Sequence, residues 1–149
     1  MDLFQANLTG ANLAGARMAR IKLNLANLDR ANMAGADLAG ANFSRATLPG
    51  ADLHGAKLIG ASLHATDMNG VNLAGADLTD GNLTYAVVKG AKLMNVNFTG
   101  ANLTGADFSG ADLTGAKLTR ALMAGSDLSH AVYIDGTICK EPSYGECKK

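Results

Sequence analysis

Few side chains in this sequence are equipped for acid–base or nucleophilic chemistry near neutral pH: His54, His64, His130, Cys139 and Cys147 in 149 residues. Histidine changes charge close to neutrality, which makes the three imidazoles the first candidates for a catalyst. His54 and His64 each follow an apolar residue, Leu53 and Leu63, while His130 stands near the end of the chain. The carboxylates recur singly, and a general acid needs a desolvated cleft or a close second group to raise its pKa. Asp107 and Asp127 are the sort of pair that holds a cation, but no further ligand accompanies them. No glycine falls in a Gly-Lys phosphate loop. No catalytic, cofactor-binding or metal-binding residue is therefore assigned, and no enzyme activity or cofactor is expected.

Composition explains why chemistry is scarce. Lys plus Arg number 13 and Asp plus Glu 13, so the formal net charge is zero and no nucleic-acid partner is implied. Ala (27), Leu (20), Gly (18) and Asn (12) fill 77 positions, more than half the chain, which signals internal repetition. Asn, Asp, Gly or Lys breaks every apolar run, far short of the roughly 18 residues that cross a bilayer, so no membrane association is expected. Residues 1–20 lack the charged start, apolar middle and small-residue exit of a secretory leader.

The repeat is five residues long. An apolar residue stands at position 3 and at every fifth position to 133, giving 27 centres without an insertion, 18 of them Leu. Leu38, Phe43, Leu58, Leu78, Phe98, Phe108 and Leu118 belong to this series and are expected core centres. Two residues before the centre, 20 of 27 positions are Ala; between them 17 are Asn or Asp; two after the centre 15 are Gly. On an α-helix five residues advance about 140° beyond a full turn, so the centres form no stripe. On a straight strand an odd period sends alternate centres to opposite faces. What remains is a short extended step closed by a turn, whose Gly takes the positive φ of a type II turn.

Ala6-Asn7-Leu8-Thr9-Gly10, Ala36-Asp37-Leu38-Ala39-Gly40 and Ala111-Asp112-Leu113-Thr114-Gly115 resemble the A(D/N)LXX unit of pentapeptide repeat proteins, and the resemblance runs over residues 1–135. It implies an all-β fold, a right-handed quadrilateral parallel β-helix with four repeats per coil. The 27 repeats then make 6.75 coils, a shaft roughly 32 Å long at roughly 4.8 Å per rung. Residues 1–135 form the β-helix and 136–149 a capping tail.

Residues twenty apart stack in such a coil. Arg17, Asp37, Lys57, Asp77, Asn97 and Lys117 form one column, whose alternating signs suggest a cross-strand charge ladder. Columns rich in amides, such as Asn12, Asn32, Asp52 and Asn72, suggest hydrogen bonds from coil to coil. Outward apolar residues are few: Phe4, Leu25, Ile59, Val87, Met94, Leu122, Val132 and Ile134. Val87 and Met94, on neighbouring faces of the fifth coil, together with Phe4 and Leu25 make the candidate contact surface. The tail is expected to fold over Leu122, Val132 and Ile134, because a solenoid needs its end covered.

Seven residues with turn formers Pro142 and Gly145 separate Cys139 from Cys147, a spacing that suits a disulfide-stapled cap. Free thiols are the alternative; a metal site would need two more ligands, and the tail has no His. Oxidised cysteines point to the periplasm, a lumen or the cell exterior, reduced ones to the cytoplasm. Repeats begin at Met1, leaving strand edges and a Leu layer at that end, so self-association through it, or a capping segment ahead of it, is expected.

The function read from these features is a structural or protein-interaction module that binds an unidentified protein along a flat face or an end. The alternative is DNA mimicry toward gyrase, as in some members of the resembled family. Zero net charge and the basic cluster Arg17, Arg20, Lys22 and Arg30 disfavour it. Ice binding through the column Thr79, Thr99 and Thr119 ranks lower still.

Overall fold

In the computed structural model, which describes all residues 1–149, the chain winds through isolated parallel bridges and contains no helix. Asp2 pairs with Lys22, Asn7 with Asn27, Asn12 with Asn32 and Arg17 with Asp37, and the offset of twenty continues to Asp112 and Val132. Each coil has four sides, named here by their place in the first coil: residues 1–5, 6–10, 11–15 and 16–20 open the first to fourth sides. Every rung is made the same way. The Asn27 N–H donates to the Ala6 carbonyl (2.9 Å) and the Leu8 N–H donates to the Asn27 carbonyl (2.7 Å).

The centres and the small residues two before them point into the shaft. Leu38, Phe43, Leu58, Leu78, Phe98 and Phe108 are fully buried, with the Phe98 and Phe108 rings packed edge to face at 6.2 Å. Leu118 departs from expectation. It is only partly buried, as are Ala121 and Met123, because nothing pairs with the outer edge of residues 116–125. At the other end Leu3, Leu8, Leu13 and Met18 are partly buried for the same reason, having a neighbouring coil on one side alone.

Each repeat ends in a turn closed by a bond such as Ala11 N–H to the Leu8 carbonyl (2.9 Å). The residue two after the centre has positive φ at all 26 corners from Gln5 to His130, whether or not it is glycine. Positive φ there identifies the type II turn. The Asn or Asp between the inward residues has a single recurrent role. At all 17 such positions its Oδ1 accepts the backbone N–H two residues on, as Asn27 does from Asp29 (3.0 Å) and Asp112 from Thr114 (2.9 Å). These are Asx turns, which satisfy a donor that the rungs leave free.

That local bond corrects two expectations. Coil-to-coil amide bonds are the exception: Asn72 donates to Asp52 (3.0 Å) and Asn97 to Asp77 (3.2 Å). The column Arg17 to Lys117 contains no ion pair, since Asp37 and Asp77 aim their oxygens at the N–H groups of Ala39 and Thr79. An exposed ion pair is worth only about 0 to 1 kcal/mol and does not outcompete a bond that also satisfies the backbone.

The tail doubles back over the last coil. Ile138 pairs antiparallel with Val132 and Tyr144 with Asp127, and Cys139 and Cys147 form a disulfide. It thereby covers the third and second sides and buries Leu128 and Ala131. Leu122, expected beneath it, stays exposed on the uncovered first side, and Ile134 is also exposed.

Core burial sets a graded response to truncation. Leu38→Ala, in the closed shaft, is expected to cost roughly 2 to 5 kcal/mol. Leu118→Ala should cost less than half as much, because its side chain already meets solvent. Urea unfolding of both variants checks this, and equal losses would contradict the partial burial of Leu118.

Candidate functional site

The three histidines and the Asp107 and Asp127 carboxylates are dispersed around the rod, each engaged by a local partner. His54 Nδ1 lies 3.0 Å from Asp52 Oδ1 on the third side. Burial pushes the Asp52 carboxyl up, but bonds from the His54 backbone and ring, the imidazole's charge and the Asn72 amide together hold it below the usual carboxylate range. His64 is on the first side, 2.7 Å from Thr84 Oγ1. Thr84 spends its one proton on Asn82 Oδ1 (2.8 Å), so the His64 Nδ1 must carry hydrogen and donate. The His130 N–H donates to the Cys139 carbonyl (2.9 Å), and its Nε2 lies 3.8 Å from Glu141. Asp107 is bonded by Ser109 (2.6 Å) and Lys89 (3.0 Å), which outweigh burial and lower its pKa. Asp127 accepts from the Ser129 N–H (2.9 Å). Asp107 and Asp127 thus turn to separate local partners.

The feature that sets one part of the surface apart is a corner. Where the first side meets the second, the residues in the left-handed conformation are Gln5, Leu25, Arg45, Ala65 and Tyr85, with φ of 56°, 58°, 60°, 53° and 58°. Five successive coils therefore carry a side chain where 15 of the 26 corners carry glycine. The other non-glycine corners, Arg20, Arg30, Asp80, Asn95, Arg120 and His130, are spread over the remaining three columns. An L-residue in this conformation brings Cβ close to the following carbonyl and costs roughly 1 to 2 kcal/mol.

The side chains so held form a ridge. Leu25 is 44% and Tyr85 63% exposed, and Phe4, beside Gln5, extends the apolar line toward the first coil. Tyr85 lies along the rod over Gly105, where an added Cβ would meet its ring at 2.7 Å. Glycine at 105 is thus the seat for the tyrosine. The His64 ring meets Tyr85 edge-on at 6.1 Å. On one flank, the first side from residue 41 to 125 carries no carboxylate: Asn42, Ser44, Ser62, Asn82, Thr84 and Asn102 supply amides and hydroxyls, with Ser44 and Ser62 linked at 2.9 Å. The flank across the corner begins with Val87, partly buried beside Tyr85.

The sequence-derived contact residues divide on this geometry. Phe4, Leu25 and Val87 lie on or beside the ridge. Met94 is exposed on the third side, beyond the Gly90 corner, and does not join it. Tyr85 escaped notice because it occupies a turn position; a non-glycine at every twentieth residue from 5 to 85 was the signal that marks it.

Comparison with known proteins bears on the whole chain. The family model described as Pentapeptide repeats matches in eight copies, over residues 2–38, 26–65, 36–75, 56–94, 72–110 and 91–129. No curated protein matches the chain. Among solved structures, HetL, a pentapeptide repeat protein involved in heterocyst differentiation regulation from the cyanobacterium Nostoc sp. strain PCC 7120, is similar at 35% identity and a TM-score of 0.57. That match covers 92% of this chain and 68% of HetL. Trypsin-treated QnrB1 carrying R167E, a plasmid-mediated fluoroquinolone resistance protein, is similar in fold at 20% identity and a TM-score of 0.63, over 87% of this chain and 69% of that one. Repeat register, four-sided coil and matched family together establish that this chain belongs to the pentapeptide repeat proteins, whose fold is the right-handed quadrilateral β-helix.

Proposed function

We propose that the chain is a non-enzymatic interaction rod that docks a protein partner along the ridge Phe4, Leu25, Arg45 and Tyr85. One observation carries the reading: five consecutive coils retain side chains in a conformation that glycine adopts at no steric cost, and they do so at a single corner. An unbroken run of such side chains at one corner, against six scattered over the other three, marks a site where the side chains matter more than the stability they cost. Exposed tyrosine and arginine, here Tyr85 and Arg45, are the residue types that anchor protein interfaces, and the adjoining amide and hydroxyl side offers hydrogen bonds without charge repulsion. The similarity to HetL, itself involved in a regulatory process, is consistent with an adaptor role.

DNA mimicry toward gyrase is the second reading. The likeness to QnrB1 extends to fold alone at 20% identity. A duplex mimic must present dense negative charge, whereas this chain has 13 acidic and 13 basic residues. The disulfide supports an oxidising compartment, the periplasm or a lumen, for a tail acting as a stapled cap.

Strain and recognition make opposite demands, which gives a test. Leu25→Gly and Tyr85→Gly should each raise stability by about 1 kcal/mol, or about 2 to 8 °C in melting temperature, yet lose the partner captured by the native chain from its own cell extract. Retention of that partner by the more stable variants would refute the ridge. In a gyrase supercoiling assay with a quinolone, no protection is expected; protection would promote the second reading. Alkylation of the unreduced native protein should modify no cysteine, and two after reduction and unfolding; two modified thiols without reductant would remove the staple.

A further inference from the structure

Charge is shared unequally among the sides of the rod. Between their corners, residues 41–119 place three Asp or Lys side chains on each of the second, third and fourth sides and no carboxylate, Lys or Arg on the first. A charge covered by an uncharged ligand loses hydration and gains no counter-charge, so a neutral ligand settles on the first side at least cost.

The polar groups of that side fall into two columns, and the Asx turns decide which atoms stay free. Positions 42, 62, 82 and 102 stack as four successive rungs. Asn42, Asn82 and Asn102 commit Oδ1 to the N–H of Ser44, Thr84 and Thr104 (3.0, 3.0 and 3.1 Å), which leaves Nδ2 as an unpaired donor in three of the four. On the charged sides Asn69, Asn72 and Asn97 instead spend Nδ2 on Asp67, Asp52 and Asp77.

The second column accepts. Ser44 and Thr84 each give their one proton to the asparagine of their own rung (2.7 and 2.8 Å), so their oxygens can only receive. Ser62 then gives its proton to Ser44 (2.9 Å), and a neutral His64, with hydrogen on Nδ1 for Thr84, leaves Nε2 as an acceptor. Donors thus run beside acceptors at the rung spacing of about 4.8 Å. Tyr85 closes one margin of the array. Its ring is 63% exposed, seated over Gly105 and met edge-on by His64 at 6.1 Å, so its orientation is set before any ligand arrives.

We infer that the first side binds a neutral, extended β-1,4-linked glycan lying along the rod, with Tyr85 as its stacking platform. Three features select that chemistry. First, a sugar hydroxyl both donates and accepts, so one hydroxyl bridges an Asn Nδ2 and a neighbouring Ser, Thr or His acceptor. Second, the C–H groups on the face of a pyranose meet the negative face of an aromatic ring favourably. Third, spacing: bonds of about 1.5 Å make a pyranose and its bridging oxygen about 5 Å long, close to one ring per rung. A peptide strand repeats every two residues, about 6.7 Å, and falls out of step with the rungs at once. The four rungs span about 14 Å, room for three rings.

The side is flat, with no cavity, so the expected affinity is millimolar. The oxidised Cys139–Cys147 pair agrees with the spaces outside the cytosol in which structural polysaccharides lie. The inference goes beyond the protein-docking ridge. Leu25 and Arg45 stand on the corner, outside both columns, and only Tyr85 is common to the two surfaces.

Titration calorimetry with hexamers of β-1,4-linked glucose, mannose and N-acetylglucosamine, each to about 10 mM, tests the inference. Saturable binding of at least one hexamer is expected. Asn82→Asp should weaken it by about tenfold or more with the melting temperature unchanged, because Asp makes the same Asx bond at Asp52 and Asp77. Asn12→Asp, which adds the same charge to the third side, should leave binding as it is, and Tyr85→Gly should weaken it. Leu25→Gly should lose the protein partner and keep the glycan, so the two surfaces fail separately. Binding of none of the hexamers overturns the inference. So does binding indifferent to Asn82→Asp, or weakened equally by Asn12→Asp.

Discussion

The structure depends on one interaction repeated along its length: the pair of backbone hydrogen bonds by which a residue holds the two neighbours of the residue twenty positions earlier. Such a rung forms only if the chain returns to the same side after each coil, so all four corners must turn alike. A type II turn every fifth residue achieves this at the cost of one left-handed residue per repeat. All 26 corners accordingly adopt positive φ, including those with Leu, Tyr or Arg in place of glycine. The ladder therefore dictates corner conformation, and glycine is a convenience at most corners rather than a requirement. Gly105 is an exception, since the Tyr85 ring occupies the space its side chain would need.

What the sequence made legible is what the ladder and core constrain. A period of five that never slips excludes helix and straight strand, and the inward centres Leu38, Phe43 and Phe98 follow from it. The outward positions were harder to read because packing does not fix them. Asn and Asp there suggest stacked amides or charge ladders when viewed as columns. Their actual use is local: the short side chain reaches the N–H two residues on, leaving Arg17 and Lys57 without carboxylate partners. Proximity along the chain decides the matter, because an Asx bond orders few additional atoms while an exposed ion pair must hold two long side chains.

Tyr85 and Leu118 were obscured for different reasons. Turn positions are ordinarily read for glycine or its absence one repeat at a time. The ridge emerges only when residues are compared at intervals of twenty, a distance set by the fold. Leu118 has the same sequence environment as Leu58, and its partial exposure depends on which sides the tail reaches. That is decided by the backbone bonds of the reversed tail, such as the Leu128 N–H to the Ser143 carbonyl, and by the disulfide, none of which the five-residue pattern encodes.

The ends of a solenoid pose the inverse of its interior problem: a coil with a neighbour on one side alone has edge groups and core atoms left over. Residues 136–149 reverse over the last coil, and the last four run back toward Asp135, held by the Cys139–Cys147 bond. Ile138 pairs with Val132 and Tyr144 with Asp127, so the tail covers two sides. Running antiparallel is what allows it to do even this, because it leaves the last corner by reversing direction instead of continuing the spiral. Partial covering of the end is thus the consequence of one local event, the turn at Asp135 and Gly136, where the positive φ shifts from the fifth position of the repeat to the residue after it.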